Sequence, residues 1–516
     1  MAQPSGHLFI IDGDLTKLHC DAILIPVDAA LTCTSTWQDL LGANGRVRDA
    51  TVPPGWADTV RSFSYRRQQS GPEIWLGDIG RHQPSDDWYA AGLVDFLERA
   101  STAMSPRSAA QRLRLAVNVA GSGAGGSSGD KGHLFNTIVP ALESTAERLG
   151  VDVILVCWGD RQFAAAQRVR SRRSSQSPAT ADVRSRWLEA TAIALADHAR
   201  RSELVLFIGA GVSMGAGLRS WQGLLDALLD QVDVPVADVE RFRQLDVRDQ
   251  AHLLRRHFSS PERYQTAFAE LLQTGGYSLA HGLLASLHTR EAVTTNYDNL
   301  YESAVRTANR TCAVLPYGPV LDHDRWLLKL HGTIERPDDL VLTRDDYLGL
   351  PARAGALFGV LQAMLMTRHM LFVGYSLTDD TFHKVMHEVR QARSGVSGKV
   401  GTAVVLFDDP LLTELWGDDL DIVAVSPRPA HTPTQSEVAE AARELELLLD
   451  RIGYLAADVT SFLLDPTYRS MLDDDELAIS DALNDASHRI SQGTGPVAER
   501  LRSEFERLGA EPGHQS

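Results

Sequence analysis

The sequence predicts an α/β protein of about three parts, at ~150 residues per domain, whose largest part is a doubly wound parallel sheet. Three observations carry that prediction. Short apolar runs at 204–208, 292–295, 326–330, 370–373 and 403–407 alternate with helical stretches at 218–229, 299–308 and 380–392. A run that is apolar throughout, without the polar alternation of a half-exposed strand, suits a parallel strand covered by helices on both faces. The first run, LVLFI, leads straight into a glycine-rich turn and a helical pattern, the junction at which such sheets hold phosphates. Composition also breaks sharply at 168–186, RVRSRRSSQSPATADVRSR, where Arg, Ser, Pro and Ala displace apolar periodicity.

Taken in order, the chain opens with strand-like runs at 7–11, 22–27, 113–119 and 151–157 and helical patterns at 88–100 and 133–149. Residues 1–167 are therefore expected to form an α/β domain of their own. The break at 168–186 reads as a solvated linker, since nothing aromatic is interleaved among its arginines for stacking. Residues 187–450 hold the parallel sheet. From about 454 the strand signal ends, and charged amphipathic patterns at 474–490 and 497–508 make 451–516 a helical segment.

Charge and composition exclude several classes. Lys+Arg 50 against Asp+Glu 67 gives 50 − 67 = −17, which repels phosphate backbones, so nucleic acid is not expected as a main partner. The longest apolar stretches fall far short of the ~20 residues of a membrane helix. The opening MAQPSGHLFIIDGD has no basic segment followed by an apolar core and cleavage site, so a cytoplasmic location is expected. The four cysteines, Cys20, Cys33, Cys157 and Cys312, form no CxxC pair. Buried reduced thiols are expected, with neither disulfide nor metal.

The chemistry concentrates on one predicted sheet edge. After LVLFI come Gly209, Ala210, Gly211, Val212 and Ser213, with further glycines at 215 and 217. Glycines here let backbone approach a pyrophosphate, although Met214 stands where a full dinucleotide fingerprint has its third glycine. Three more segments sit just beyond strands: AVTTNYDNL with Asn296 and Asp298, WLLKLHGTIE with His331, and LFVGYSLTDD with Gly374 and Ser376. Singly, Asn296 and Asp298 also fit a helix N-cap and a first-turn acid, and His331, one of 17 histidines, a satisfied core side chain. Together with the glycine loop they gather amide, carboxylate, imidazole and hydroxyl where doubly wound sheets bind ligands.

At these residues the chain resembles the sirtuin family. The GAGVS loop, the TNYD segment, the LHG histidine and the GYS turn match that family's motifs in order, over roughly 187–450. The bacterial antiphage branch is the better match, since Gly217, Trp221 and Leu224 follow the glycine loop and a VLT-x-x-x-Y stretch at 341–347 follows LHG. The resemblance implies a Rossmann-like domain that takes NAD as its substrate. It implies Gly209, Ala210, Gly211, Ser213, Asp298, Gly374 and Ser376 as NAD-binding residues, with Asn296 and His331 catalytic. Sirtuin deacylases carry a four-cysteine zinc ribbon, which this chain lacks; the defence branch hydrolyses NAD to nicotinamide and ADP-ribose. Breaking that glycosidic bond builds oxocarbenium character. Asn296 would orient ribose or water and His331 would take a proton, while Asp298 would support the nicotinamide side or the developing charge.

Residues 7–167 are similar to macro domains, which bind ADP-ribose and its derivatives. The match rests on the opening IDGDLTKL and CDAILIPVD and on the loop GSGAGG at 121–126 with the helix and strand after it. It implies Asp14 at the adenine and Gly121, Gly123, Gly125 and Gly126 around phosphates, a role that flexible glycines aimed at anions also support. Asp28 stands where macro domains place Asn, and their triple-glycine segment is missing around 31–45, so hydrolysis of ADP-ribosyl bonds is not expected. The expected whole is an NAD hydrolase of antiphage defence gated by an ADP-ribose-derived signal nucleotide, with a homo-oligomer among its expected states. The alternatives are a non-catalytic NAD or ADP-ribose sensor signalling to a partner, and an ADP-ribosyl transferase.

Overall fold

The computed structural model describes residues 6–42, 45–67, 71–80, 85–106, 111–122, 129–174, 183–233, 236–287 and 289–510. They divide into two compact units, one of residues 1–16, 20–182 and 453–516, the other of residues 17–19 and 183–452.

In the first unit, strands β1 (His7–Asp12), β2 (Ala22–Val27), β3 (Ser62–Arg66), β4 (Glu73–Asp78), β5 (Arg114–Asn118) and β6 (Asp152–Cys157) form one sheet. Their order is β1-β6-β5-β2-β4-β3. All pairings are parallel except that of the edge strand β3 with β4. The helix Lys131–Leu149 starts where the Asp130 carboxylate accepts the His133 N–H at 2.9 Å. It ends at Gly150 in the left-handed region, a conformation that costs glycine little.

The C-terminal helices belong to this unit. Phe462, Leu464, Tyr468 and Met471 are buried in the same apolar core as Phe96, Phe135 and Leu155. Burying each such side chain is worth about 1.5–3 kcal/mol. The segment expected as a linker is helical at both described ends, in Asp160–Ser174 and Val183–Arg200. Its arginines have partners: Arg168 meets Glu476 at 2.8 Å and Arg172 donates to the Met471 carbonyl at 2.6 Å. Those contacts, made with residues 300 positions away in sequence, are what composition alone could not supply.

The second unit holds β7 (Leu204–Ile208), β8 (Glu291–Thr294), β9 (Cys312–Leu315), β10 (Arg325–Lys329), β11 (His369–Val373), β12 (Gly401–Phe407) and β13 (Leu420–Ser426). The order is β13-β12-β11-β7-β8-β10-β9, parallel throughout. β7 lies between β8 and β11, so the chain leaves it first toward one edge and later returns to build the other. That reversal opens a crevice at the carboxyl ends of β7, β8 and β11. All four cysteines are buried, and no disulfide joins them. Among the described residues no single helix is long and apolar enough to cross a membrane.

Candidate active site

The crevice contains a cavity of about 470 Å³. Ala210, Gly211, Ser213, Asn296, Asp298, His331, Gly374 and Ser376 all line it, so the structure brings together eight of the nine residues singled out on this edge. Gly209 lies just behind, its N–H donating to the Val373 carbonyl at 2.9 Å. The turns after β7 and β11 meet backbone to backbone, with the Gly211 N–H donating to the Gly374 carbonyl at 2.9 Å. A Cβ on Gly209 would stand 2.3 Å from the Gly374 oxygen, and one on Gly374, whose φ is +64°, would stand 2.6 Å from the Val212 nitrogen. Only glycine on both sides permits this approach.

A hydrogen-bonded chain fixes the floor. Thr294, the last residue of β8, donates its hydroxyl to the Ile208 carbonyl at 2.7 Å and accepts the Asn296 N–H at 2.9 Å, which tethers the turn that follows. The buried Ser213 hydroxyl donates to Asp298 Oδ2 at 2.8 Å and accepts from Asn296 Nδ2 at 3.2 Å. Behind it, His281 Nδ1 accepts the Ser278 N–H at 3.3 Å, while the Ser278 hydroxyl donates to the Val212 carbonyl at 3.0 Å. The Ser278 hydroxyl also lies 2.8 Å from Nδ1. Nε2 stands 3.5 Å from Ser213 Oγ. Full burial pushes His281 down to about 4, against the pull of Asp298, so the ring is neutral at physiological pH. Ser213 thus receives the Asn296 amide N–H and donates its proton to a carboxylate, which orients both Asn296 and Asp298.

Beneath this turn lies a buried ion pair, Lys329 Nζ to Glu302 Oε1 at 2.8 Å. Lys329, 1% exposed, also donates to the backbone carbonyls of Asp298 and Tyr297. Burial raises the Glu302 carboxyl and the lysine counters it. A charge this deep is tolerated because it is paired and hydrogen-bonded.

His331 follows β10 on the adjacent strand. Its ring packs edge-on against Tyr347, centroids 5.2 Å apart, and lies 6.5 Å from Tyr297. Nε2 is buried without a hydrogen-bond partner and faces Asp379 Oδ2 at 3.7 Å. Burial holds the imidazole below its ordinary value, with Asp379 pulling the other way. Trp221 and Leu224 add apolar wall, and Arg219 and Arg248 add cationic groups.

Residues 290–422 match the model of the SIR2-like domain family. This part of the chain is a SIR2-like domain. The chain is similar to the NAD(+) hydrolase ThsA of Bacillus cereus (strain MSX-D12), 29% identical over 192 residues, which is 36% of this chain and 40% of the relative. The ThsA of Enterococcus faecium is 29% identical over 196 residues, 37% of this chain and 40% of the relative. The Defense-associated sirtuin 2 of Bacillus subtilis is 22% identical over 208 residues, covering 38% and 20%. The chain thus spans about two fifths of the length of the hydrolases it matches.

Sequence reasoning missed His281, Lys329, Glu302 and Asp379 around the SIR2-like site. The Ser278-x-x-His281 spacing of a capping box and the helix-cap position of Asp379 were the legible signals. In the first unit, Asp14 follows β1 and its Oδ1 accepts from the Thr16 N–H and hydroxyl, each at 2.8 Å. Gly121 follows β5 on the same carboxyl edge of the sheet, at φ +83°. Gly123, Gly125 and Gly126 lie outside the described residues.

Proposed function

We propose that the protein hydrolyses NAD to nicotinamide and ADP-ribose as an effector of antiphage defence. The observation that carries this reading is the meeting of Ser213-held Asn296 and Asp298 with His331 in one cavity, beside a glycine turn at the switch point of a parallel sheet. The names of the relatives, NAD(+) hydrolase and defence-associated sirtuin, agree with it.

In this reading the glycine turn holds the pyrophosphate with backbone N–H groups. As the nicotinamide leaves, positive charge grows on the ribose, and the Asp298 carboxylate offsets it. Asn296, with Nδ2 committed to Ser213, presents its carbonyl oxygen to a ribose hydroxyl or the attacking water. His331 takes the proton that this hydroxyl or water gives up. Burial favours the neutral, proton-accepting ring.

The first unit, in the same proposal, binds an ADP-ribose-like nucleotide along the carboxyl edge carrying Asp14 and Gly121 and thereby sets the hydrolase activity. A tenfold shift between inactive and active states needs only about 1.4 kcal/mol of differential binding.

The test is incubation of the full chain with NAD, with and without ADP-ribose derivatives, and chromatographic separation of nicotinamide and ADP-ribose. Asn296→Ala and His331→Ala are expected to abolish release while the chain stays folded. Undiminished release in both would remove the mechanism, and nicotinamide without free ADP-ribose would identify transfer. Asp14→Ala is expected to lose any nucleotide response and keep basal hydrolysis.

A further inference from the structure

We propose that Asp379 is the positioning carboxylate of His331: it orients the imidazole and stabilises the imidazolium formed when the ring accepts a proton. This rests on the hydrolase reading given above. Asp379 heads the helix Asp380–Ala392 as its N-cap, Oδ1 accepting the N–H groups of Thr381 at 2.9 Å and Phe382 at 3.1 Å. With one oxygen pinned to the helix, the other is held in place and stands 3.7 Å from His331 Nε2. That nitrogen is buried and has no hydrogen-bond partner.

The surroundings leave this carboxylate without a rival. Tyr297, from the turn after β8, and Tyr347, from the helix Arg344–Arg353, face the ring, and burial pushes both phenols above their ordinary range, so they stay neutral. Tyr375 is likewise buried and neutral. Arg248 lies behind Tyr347, 5.7 Å from that ring's centroid, and is engaged by Asp246 and Asp380. Among the described residues, Asp379 is the charged group within 4 Å of the imidazole. A ring that gains a proton in so dry a place needs a counter-charge. The proton passes from the ribose hydroxyl or water to the imidazole, and the carboxylate remains ionised and takes none.

The same placement explains a double use of one residue. The helix cap fixes the carboxylate's orientation without engaging the oxygen that faces His331, so a side chain with a purely structural signature in the sequence also serves the site.

Asp379→Asn tests this directly, because Asn caps helices as well as Asp does and removes only the charge. The imidazole of His331 is titrated by NMR in the full chain with ring-labelled histidine, its signal assigned by loss in His331→Gln. The midpoint is expected to fall by about one unit or more in Asp379→Asn, the size of effect a nearby opposite charge exerts. The acid limb of the nicotinamide-release profile should move to lower pH with it, and kcat at the plateau should fall about tenfold while KM for NAD holds. Asp379→Ser, a second uncharged cap, should behave alike if the first variant folds poorly. An unchanged or raised His331 midpoint in a folded variant overturns the proposal. An unmodified chain that releases no nicotinamide counts against the hydrolase reading instead, and the NMR midpoint still decides the pairing.

Discussion

Replacing Lys329 by Met should unfold the SIR2-like unit more readily than most single changes, and the expected size follows from its surroundings. The ammonium lies 2.8 Å from Glu302, and the two side chains are 0% and 3% exposed. Methionine matches the aliphatic stem, so little packing is lost; what remains is a buried carboxylate without its cation. Breaking such a pair from one side costs about 3–5 kcal/mol. At roughly 2–4 °C per kcal/mol for a domain of this size, the melting temperature should drop by roughly 6–20 °C. Burial raises the folded-state value of Glu302 above its ordinary 4.5 even with the lysine present, and loss of the lysine raises it further. A carboxyl with a raised folded-state value is stabilised below its unfolded value and loses that stability as pH rises through the folded one. The deficit of Lys329→Met should accordingly be small near pH 4 and grow toward neutrality. Adding Glu302→Leu removes the orphaned charge and should restore most of the loss, although the Asp298 and Tyr297 carbonyls still lack their donor. Urea unfolding of the single and double variants between pH 4.5 and 7.5 measures all of this. A single-variant deficit under about 1 kcal/mol at pH 7, or a double variant no better than the single, would refute the reasoning.

Ser213→Ala strips one hydroxyl from Asn296 and Asp298 at once; at about 1–3 kcal/mol for a buried polar group left unpaired, nicotinamide release should fall roughly 10- to 100-fold, read from initial rates, and an unchanged rate would remove the positioning role given to Ser213. His281 should make the unit acid-sensitive: its folded value of about 4 lies below the ordinary ~6.5, so the unfolded chain takes up a proton that the folded one refuses as pH falls through that window. Stability should drop by about 3 kcal/mol between pH 6.5 and 4, and His281→Asn should flatten that part of the unfolding profile, whatever it does to absolute stability.

The SIR2-like site was legible because its groups sit at the ends of strands that announce themselves. LVLFI, AVTT, WLLKL and LFVG are mainly apolar, and a parallel sheet leaves their carboxyl ends at one edge, so reading four strands located eight lining residues. Strands of mixed polarity escaped. β3, SFSYR, and β13, LDIVAVS, are edge strands with part of their surface exposed, and each sets polar or charged residues among its apolar ones. The supporting residues escaped for another reason. Asp379 carries the signature of a helix cap, and a cap is what it is; nothing local records that its second oxygen faces His331. Lys329 looked like the polar member of an apolar strand, and only the fold places Glu302, 27 positions earlier, beneath it.

The C-terminal helices pose the same problem at larger scale, with a consequence for how the first unit can be studied. An amphipathic pattern announces that a face will be covered and is silent on what covers it. Here the cover is a core begun more than 300 residues earlier: Tyr468 lies with its ring 6.1 Å from that of Phe135, and Arg161 meets Asp465 at 3.0 Å. Residues 1–167 alone would leave the apolar surface under Phe462, Tyr468 and Met471 open to water, at a cost of about 1.5–3 kcal/mol for each missing side chain, against a total stability of only about 5–15 kcal/mol for a typical domain. Loss of nucleotide binding in such a fragment would then follow from a missing wall of its core as readily as from an absent site. Calorimetry with ADP-ribose therefore belongs on the full chain, with Asp14→Ala as the comparison, since that substitution alters one part-buried turn and leaves both halves of the core in place.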